Sequence, residues 1–381
     1  MNEMNDDASR RVLVLGRGKS GEAAAKLAEA DGKSVDFADG VGLVVASPGV
    51  RVMSELEYGC RALKRLGVKM LAVTGSKGKS SVVKLVADAL RLAGCRATPC
   101  GNYGLPVSEL AVRLSASGSR PPVLHWAVVE VSSFMMETTN LPPDTFEAAA
   151  ILNLQEDHLD RHGSVGLYHS LKRRLLLCAK EQMAEGVLQP ADADDNLLKG
   201  SYFDNDVLRA NGAVAVWLMR AAGLGDDEIK RAFADFEPLP HRFQTVAEVQ
   251  GVRYVDDSKA TSVAALMAGV AMADRGVRLI AGGLAKGDDP KSASSLLTKR
   301  VKKVYLIGRC AEEFRSAWSD AADCEVCETM ERAVEAAMRE AEKGDTVLLS
   351  PGTASFDQFK SFGERGDVFA SLVKKEGQKR K

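Results

Sequence analysis

A glycine-rich loop between an apolar strand and a helix constrains this chain more than any other feature. Residues 75–81, Gly-Ser-Lys-Gly-Lys-Ser-Ser, follow an apolar run at 70–73 and precede apolar residues at helical spacing over 82–92. The glycines allow a tight turn whose N–H groups point at phosphate oxygens, and the helix N-terminus adds partial positive charge. Lys79 would reach the terminal phosphates, and the Ser80 hydroxyl would bind Mg²⁺. The loop therefore predicts a nucleoside-triphosphate site.

Composition excludes several classes of protein. The 381 residues carry a net charge of −1 and 45% hydrophobic residues, which predicts two or three globular domains with no general affinity for nucleic acid or membranes. No apolar run approaches the ~18 residues of a membrane span, and the N-terminus is too polar for a signal peptide. The seven scattered cysteines suit a reducing compartment. We expect a cytoplasmic monomer that binds small molecules.

Apolar segments alternate with helical patterns, which predicts parallel sheets covered by helices. Near the N-terminus, a strand at 11–15 enters a GxGxxG turn at 16–21 and a helix at 22–30, a Rossmann-like pattern. Further strands are expected at 43–47, 126–131 and 148–153. The polar stretch 181–206 indicates a loop-rich connection before a helix at 207–222.

The alternation resumes in the last third of the chain. Strands are expected at 252–255, 277–282, 303–307 and 345–349, with helices at 261–273, 290–300, 328–342 and 363–374. We therefore predict an α/β fold of three domains. They are a Rossmann-like N-terminal domain at 1–68, a central P-loop parallel-sheet ATPase domain at 69–237, and a Rossmann-like C-terminal domain at 238–381.

Polar residues follow two predicted strands of the central domain. Glu130 ends one strand and is placed to hold Mg²⁺ beside Ser80, although a strand-end glutamate can also simply face water. His158 lies in the dense polar cluster 153–162 after the next strand. It fits either a mixed magnesium shell or an ordinary loop.

A third polar group follows a strand of the C-terminal domain, at residues 256–262. Helix capping explains its Asp, Ser and Thr residues but not Lys259, whose charge suits an anionic substrate or a phosphate. The sequence contains no serine-hydrolase elbow and no zinc-spaced Cys/His set, which argues against simple hydrolase and zinc chemistry. Cys324 and Cys327 have CxxC spacing without a second pair, so we expect reduced thiols.

These motifs together resemble the Mur ligase family of peptidoglycan-precursor enzymes, in the expected order over nearly the whole chain. The matching segments are the phosphate loop, Glu-Val-Ser-Ser-Phe at 130–134 and Glu-Asp-His-Leu-Asp-Arg at 156–161. The resemblance places the family's carbamylated lysine at Lys172. It implies ATP, two Mg²⁺ ions, catalysis by Lys79, Glu130, His158 and Lys172, and metal ligation by Ser80, Glu130, His158 and the Lys172 carbamate.

Residues 350–359 and 365–366 are similar to the branch of the family that adds D-glutamate to UDP-N-acetylmuramoyl-L-alanine through an acyl phosphate. By this resemblance the nucleotide would contact Gly75, Ser76, Lys77, Gly78, Lys79, Ser80, Ser81, Asn211, Arg242, Asp257 and Lys259. The other substrates would contact Ser20, Asn102, Ser133, Thr261, Lys286, Ser355, Phe356 and Phe362. Domain closure would complete the site.

The chain departs from the family pattern at several positions. Lys77 stands where the family has Asn, and Val207 and Leu208 replace the first two residues of a His-Asn-x-x-Asn motif that keeps Asn211. The segment 180–207 is shortened, and the residues after Asp39 lack the usual uridine-contacting pattern. Three alternatives stay open: a sister ligase like folylpolyglutamate synthase, a non-catalytic ATP-binding homologue and a simple P-loop kinase.

Overall fold

The computed structural model describes residues 11–39, 52–116, 125–273 and 276–379. The chain forms two compact units, one of Met1–Asp204 with Leu208–Phe236 and the other of Asn205–Val207 with Glu237–Lys381. The strand expected at 43–47 lies outside the described residues, as does the segment that follows Asp39.

The first unit contains seven described strands and ten helices. The strands are β1 (Arg11–Leu15), β2 (Ser34–Ala38), β3 (Lys69–Thr74), β4 (Arg96–Gly101), β5 (His125–Glu130), β6 (Phe146–Ile151) and β7 (Ala179–Met183). The helices are α1 (Lys19–Ala30), α2 (Glu55–Arg65), α3 (Lys79–Leu92), α4 (Val107–Ala116), α5 (Ser133–Met136), α6 (Leu159–His162), α7 (Val165–Arg173), α8 (Asp195–Leu198), α9 (Arg209–Ala221) and α10 (Asp226–Ala234).

Two parallel sheets form this unit. Strands β1 and β2 pair with each other, and the larger sheet has the order β4-β5-β3-β6-β7 with every pair parallel. All six residues of β5 are buried, because helices cover both faces of such a sheet. The carboxyl ends of β3, β5 and β6 meet at one edge, so the loops that carry the phosphate motif, Glu130 and the polar cluster are neighbours.

The start of the stretch expected to be a loop is instead a strand. Residues Ala179–Met183 form β7 and pair with β6, so the prediction of irregular structure from residue 181 is wrong there. Three exposed polar residues in this edge strand concealed its pattern, since only its two end residues are buried. Beyond β7, one 3₁₀ turn at Pro190–Asp192 and the short helix α8 interrupt irregular backbone.

The second unit is built on one mixed sheet. Its strands are β8 (Gln244–Val249), β9 (Val252–Asp256), β10 (Val277–Gly282), β11 (Val301–Ile307), β12 (Asp323–Glu328) and β13 (Thr346–Leu349). Its helices are α11 (Val263–Met272), α12 (Ser294–Arg300), α13 (Ala311–Trp318), α14 (Met330–Glu340) and α15 (Phe362–Lys379). The strand order is β12-β11-β10-β13-β9-β8, parallel except for the hairpin of β8 and β9.

The sequence pattern missed three elements of this unit: β8, α13 and β12. Strand β12 is a partly exposed edge strand that contains Cys324 and Cys327, and both thiols are free. Burial raises the pKa of each of these thiols to about 11, so they are protonated at neutral pH.

The predicted α/β class with parallel sheets is confirmed. Among the described residues, no helix is both long enough and apolar enough to cross a membrane.

Candidate active site

The phosphate loop is shaped by two glycines and closed by its own lysine. Gly75 and Gly78 have φ angles of +148° and +85°, and Gly78 caps α3. A Cβ on Gly78 would lie 2.3 Å from Asn211 Nδ2, so a larger residue has no room there. Lys79 Nζ donates hydrogen bonds to the carbonyl oxygens of Gly75, at 2.8 Å, and Ser76, at 3.1 Å.

Asn153, at the end of β6, holds the loop from outside. Its Oδ1 accepts from the Lys77 N–H at 2.9 Å, and its Nδ2 donates to the Lys77 carbonyl at 3.0 Å. The same Nδ2 lies 3.4 Å from Asn211 Oδ1. Because Asn153 engages both backbone groups of Lys77, it fixes the peptide plane on each side while the lysine side chain projects outward. Lys77 Nζ then lies 3.6 Å from Asp157 Oδ2 in a partly exposed ion pair.

Lys172 is buried against the phosphate loop. It lies on α7 with 2% of its surface exposed, and its Nζ donates to Gly75 O at 3.0 Å, the carbonyl that Lys79 also contacts. Its ammonium also lies 4.6 Å from the centroid of the Tyr168 ring. Burial, and then the positive charge of Lys79, lowers the pKa of Lys172 to about 7. A large fraction of this side chain is therefore a neutral amine at neutral pH.

Glu130 is buried at the end of β5 and does not face water. It is 2% exposed, and its Oε1 accepts from Asn102 Nδ2 at 2.8 Å. Its Oε2 is fully buried and has no hydrogen-bond partner among the residues that the structure describes. A buried carboxylate oxygen without a donor is costly unless a cation or water satisfies it. This orphaned oxygen fits a hard cation such as Mg²⁺.

His158 adopts a left-handed backbone conformation with φ of +54° immediately before α6. Its half-exposed ring lies 4.9 Å from the Phe134 ring centroid, and its Nδ1 is 3.9 Å from Asp157 Oδ1. The described part of the chain contains no group of three or more His, Cys, Asp or Glu residues arranged to hold a metal. The predicted ligand set differs from such a group because it includes a hydroxyl and a lysine carbamate.

Ser133, a predicted substrate contact, is buried in a side-chain network. Its Oγ lies 3.0 Å from His162 Nε2, and His162 Nδ1 lies 3.4 Å from Glu137 Oε1. Arg161 in turn donates to both oxygens of Glu137. The network ties the segment after β5 to helix α6, which follows His158. Ser20, another predicted substrate contact, is exposed near the start of α1.

In the second unit, the predicted nucleotide and amino-acid residues lie just before β8, in the loops after β9, β10 and β13, and at the start of α15. Asp257 accepts hydrogen bonds from the Phe243 N–H at 3.1 Å and from Ser350 Oγ at 2.9 Å. Burial raises the pKa of Asp257 to about 7. Lys259 Nζ lies 4.0 Å from the centroid of the Phe362 ring. This places a cation and an aromatic ring together at the sheet edge where open α/β folds bind ligands.

The remaining predicted contacts differ in exposure. Ser355 is buried, Thr261 is partly buried, Lys286 is exposed, and Phe356 is 71% exposed. Nearby, the fully buried Arg365 donates to Ser258 Oγ and to the carbonyl oxygens of Ser258, Thr353 and Ala354. Burial lowers the pKa of Arg365 to about 10. Arg365 therefore ties the loop after β13 to the loop after β9.

Comparison with known proteins identifies the family. Residues 73–200 match the Mur ligase middle domain, and residues 241–352 match the glutamate ligase domain of Mur ligases. The UDP-N-acetylmuramoylalanine–D-glutamate ligase of Nitratidesulfovibrio vulgaris strain DP4 is 34% identical, with 95% of each chain covered. The enzyme of that name from Chromobacterium violaceum is 33% identical, covering 97% of this chain and 98% of its own. The chain belongs to the Mur ligase family.

Solved structures share the fold of this Mur ligase. MurF of Thermotoga maritima in complex with ADP has a TM-score of 0.62 at 15% identity, covering 97% of this chain and 95% of its own. A bifunctional folylpolyglutamate synthase/dihydrofolate synthase from Yersinia pestis, complexed with AMPPNP and a Mn ion, has a TM-score of 0.55 at 18% identity. It covers 86% of this chain and 95% of its own. At these identities the likeness shows the fold alone.

The first relative aligns over 427 positions, more than the 381 residues of this Mur ligase, so that relative contains segments that this chain lacks. The family predicted from the motifs is confirmed, and with it the ligase class. Sequence reasoning missed Asn153 as the residue that holds the phosphate loop, and it missed His162. Both lie in the polar cluster 153–162. Its many polar and charged residues indicated a functional segment, but only the fold shows which residue of the cluster contacts which part of the chain.

Proposed function

We propose that this Mur ligase is the ATP-dependent enzyme that joins D-glutamate to UDP-N-acetylmuramoyl-L-alanine in peptidoglycan-precursor synthesis. One observation carries the proposal. The amines of Lys79 and Lys172 converge on one carbonyl of the phosphate loop, at 2.8 Å and 3.0 Å. The same edge of the sheet carries the buried Oε2 of Glu130, which no hydrogen-bond donor in the described ranges contacts. The relatives that match nearly the full chain are D-glutamate ligases by name, which supports this substrate.

The proposed chemistry activates a carboxylate with ATP. The carboxylate of the muramoyl-alanine substrate attacks the γ-phosphate, ADP leaves as the bond to its β-phosphate oxygen breaks, and an acyl phosphate forms. The D-glutamate amine then displaces phosphate to form an amide. Phosphoryl transfer of this kind depends on positioning and on stabilising charge. Lys79 would contribute its ammonium charge at the terminal phosphates, and the backbone N–H groups of residues 75–81 would orient them.

Two Mg²⁺ ions would be held by Ser80, Glu130, His158 and a carbamate on Lys172, and they would neutralise the phosphate charge. The buried Glu130 Oε2, without a hydrogen-bond donor in the described part of the chain, supports this assignment. The lowered pKa of Lys172 supports the carbamate, because only a neutral amine adds CO₂. Lys77 adds a positive charge beside the phosphate loop, and its Nζ lies 3.6 Å from Asp157 Oδ2 in an ion pair. We propose that it turns to the nucleotide phosphates.

The remaining assignments are proposals on the same basis. The nucleotide would also contact the rest of the phosphate loop, Asn211, Arg242, Asp257 and Lys259. The acceptor would lie near Ser20, Asn102 and Ser133, and D-glutamate near Thr261, Lys286, Ser355, Phe356 and Phe362. We propose three functional domains, at 1–68, 69–237 and 238–381, in a monomeric cytoplasmic enzyme.

The test measures ADP release with purified protein, ATP and Mg²⁺. We expect release only when D-glutamate and UDP-N-acetylmuramoyl-L-alanine are both present, with one amide formed per ADP. L-Glutamate and L-lysine are the matched controls. Turnover with a folate acceptor would instead identify a folylpolyglutamate synthase-like enzyme, and a phosphorylated product without amide would identify a kinase. ATP binding without turnover on any of these substrates would favour the non-catalytic homologue.

The Lys172→Ala variant distinguishes an active ligase from a non-catalytic homologue. Loss of the side chain removes the proposed carbamate, so we expect little activity and partial recovery when a short-chain carboxylic acid is added. The surface variant Lys230→Ala, on the exposed side of α10, should retain full activity. Unchanged turnover in Lys172→Ala would contradict the proposed carbamate.

A further inference from the structure

A strained turn after residue 240 presents a histidine that the proposed function has not used. His241 and Phe243 both have left-handed backbone conformations, with φ of +61° and +48°. For residues other than glycine this conformation costs on the order of 1–3 kcal/mol, and it persists only where the surroundings enforce it. Here the His241 carbonyl accepts from the Lys259 N–H at 3.0 Å. Such strain clusters at functional sites.

His241 forms a dyad with a buried carboxylate. Its Nδ1 lies 2.7 Å from Asp256 Oδ2, and the Asp256 side chain is 1% exposed. Asp256 Oδ1 accepts from the Ser258 N–H at 2.9 Å, so both carboxylate oxygens are engaged. In the tautomer that this contact favours, the proton lies on Nδ1 and is donated to the carboxylate. The lone pair of Nε2 is then available as a proton acceptor, and the ring is 16% exposed.

The close packing of α15 leaves room for this dyad only because residue 366 is a glycine. A Cβ on Gly366 would lie 2.2 Å from His241 Nδ1 and 2.5 Å from Asp256 Oδ2. A Cβ on Gly363 would lie 3.7 Å from His241 Nε2. The helix backbone therefore packs directly against the ring, and any side chain at position 366 would displace either the histidine or the aspartate.

The groups around the ring suit a ligand that carries an ammonium group. From α15, the Phe362 ring centroid lies 6.2 Å from that of His241, and the exposed Asp367 Oδ1 lies 3.9 Å from Nε2. From the loop after β9 come Asp256 and Lys259, whose ammonium lies 4.0 Å from the Phe362 ring centroid. Asp257, on the same loop, accepts from the Phe243 N–H within the strained turn. The imidazole offers a partner for a ligand ammonium, and Phe362 beside it is one of the proposed D-glutamate contacts.

We propose that His241, oriented by Asp256, removes the proton from the ammonium group of the incoming amino acid. This inference rests on the proposed ligase function. An ammonium has no lone pair, so one N–H proton must pass to Nε2 before the nitrogen can attack. The freed pair then forms the C–N bond at the acyl-phosphate carbon. The C–O bond to phosphate breaks, phosphate leaves with that electron pair, and the second nitrogen proton is lost to phosphate as the amide forms.

Hydroxylamine provides the decisive test because it is neutral near pH 7.5 and traps an acyl phosphate without a base. The wild type and His241→Asn are compared in two reactions: amide formation with D-glutamate, and hydroxamate formation with hydroxylamine in its absence. Asn tolerates the left-handed conformation that position 241 requires. We expect His241→Asn to lower the amide rate by about 10²-fold or more. The hydroxamate rate should stay within about threefold of wild type.

Asp256→Asn is the second variant and should also lower the amide rate selectively, because it no longer holds the proton on Nδ1. The matched control is Asp367→Asn, which removes a 79% exposed carboxylate beside Nε2 and should change both rates by less than about twofold. Equal loss of both products in His241→Asn, or an unchanged amide rate, would overturn the proton-acceptor role. A wild type that forms neither product would refute the ligase function itself.

Discussion

The charge state of Lys172 leads to a quantitative prediction about stability. The folded environment lowers the pKa of Lys172 from 10.5 to about 7. Between these values the unfolded chain keeps a proton that the folded chain has released, so stability rises with pH across this window. Well below pH 7 both states are protonated, and the buried ammonium then costs about 5 kcal/mol, at roughly 1.4 kcal/mol per pH unit. The cost fades as the pH approaches 10.5.

The perturbation is Lys172→Met, which keeps most of the side-chain volume and removes the titrating group. It also removes the hydrogen bond to Gly75 O and the contact with the Tyr168 ring. The slope with pH is therefore more informative than the absolute difference. We expect the stability of the variant relative to wild type to fall by about 1.4 kcal/mol per pH unit between pH 7.5 and 9.5.

The assay is urea unfolding followed by circular dichroism, in CO₂-free buffer at several pH values. Lys230→Met, on the exposed surface of α10, should show no such slope. Added bicarbonate should stabilise the wild type but not Lys172→Met, because CO₂ adds to the neutral amine. If the stability of Lys172→Met relative to wild type were constant with pH, the buried-amine argument would be refuted. If that relative stability rose with pH, the predicted sign would be wrong.

Three further predictions follow from single contacts. Glu130→Gln should weaken ADP binding in the presence of Mg²⁺ by at least about tenfold, and calorimetry without metal should show little change in ADP affinity. Equal ADP affinities of variant and wild type with Mg²⁺ would contradict a metal role for Oε2. Lys77→Asn should change stability by less than about 1 kcal/mol, because its ion pair is partly exposed, yet raise the KM for ATP; an unchanged KM would remove Lys77 from the nucleotide site. Gly366→Ala should destabilise by about 1–3 kcal/mol or more, because its Cβ would lie 2.2 Å from His241 Nδ1, whereas Gly166→Ala, with open space around its Cβ, should be near neutral in the same unfolding measurement.

The central sheet was predictable because its buried strands have continuous apolar sequences. All residues of β5 and five of six in β3 are buried, so their pattern depends little on tertiary context. Edge strands follow another rule. In β7 and β12 only a minority of residues are buried, and their pairing depends on a neighbouring strand that the local sequence does not encode. The sequence therefore predicted the interior of both large sheets and missed parts of their edges.

The site shows the same division between local and non-local information. A phosphate loop is contiguous, so residues 75–81 revealed it directly. Lys172 is 97 positions from the Gly75 carbonyl that it contacts, and by pattern alone it would have passed as an exposed helix lysine. Only the resemblance to a family predicted its role. Its burial and lowered pKa depend on the packing of α7 against the loop, which no local sequence pattern describes.

Each of the two units prepares a nitrogen base, and they do so by different physical means. In the first, burial and the charge of Lys79 favour the neutral form of the Lys172 amine. In the second, Asp256 fixes the tautomer of His241 and leaves Nε2 free to accept a proton. In both, a glycine backbone group lies directly against the base: the Gly75 carbonyl accepts from Lys172, and Gly366 leaves room for the imidazole. The glycine at position 366 therefore serves the proposed chemistry as well as the helix in which it lies.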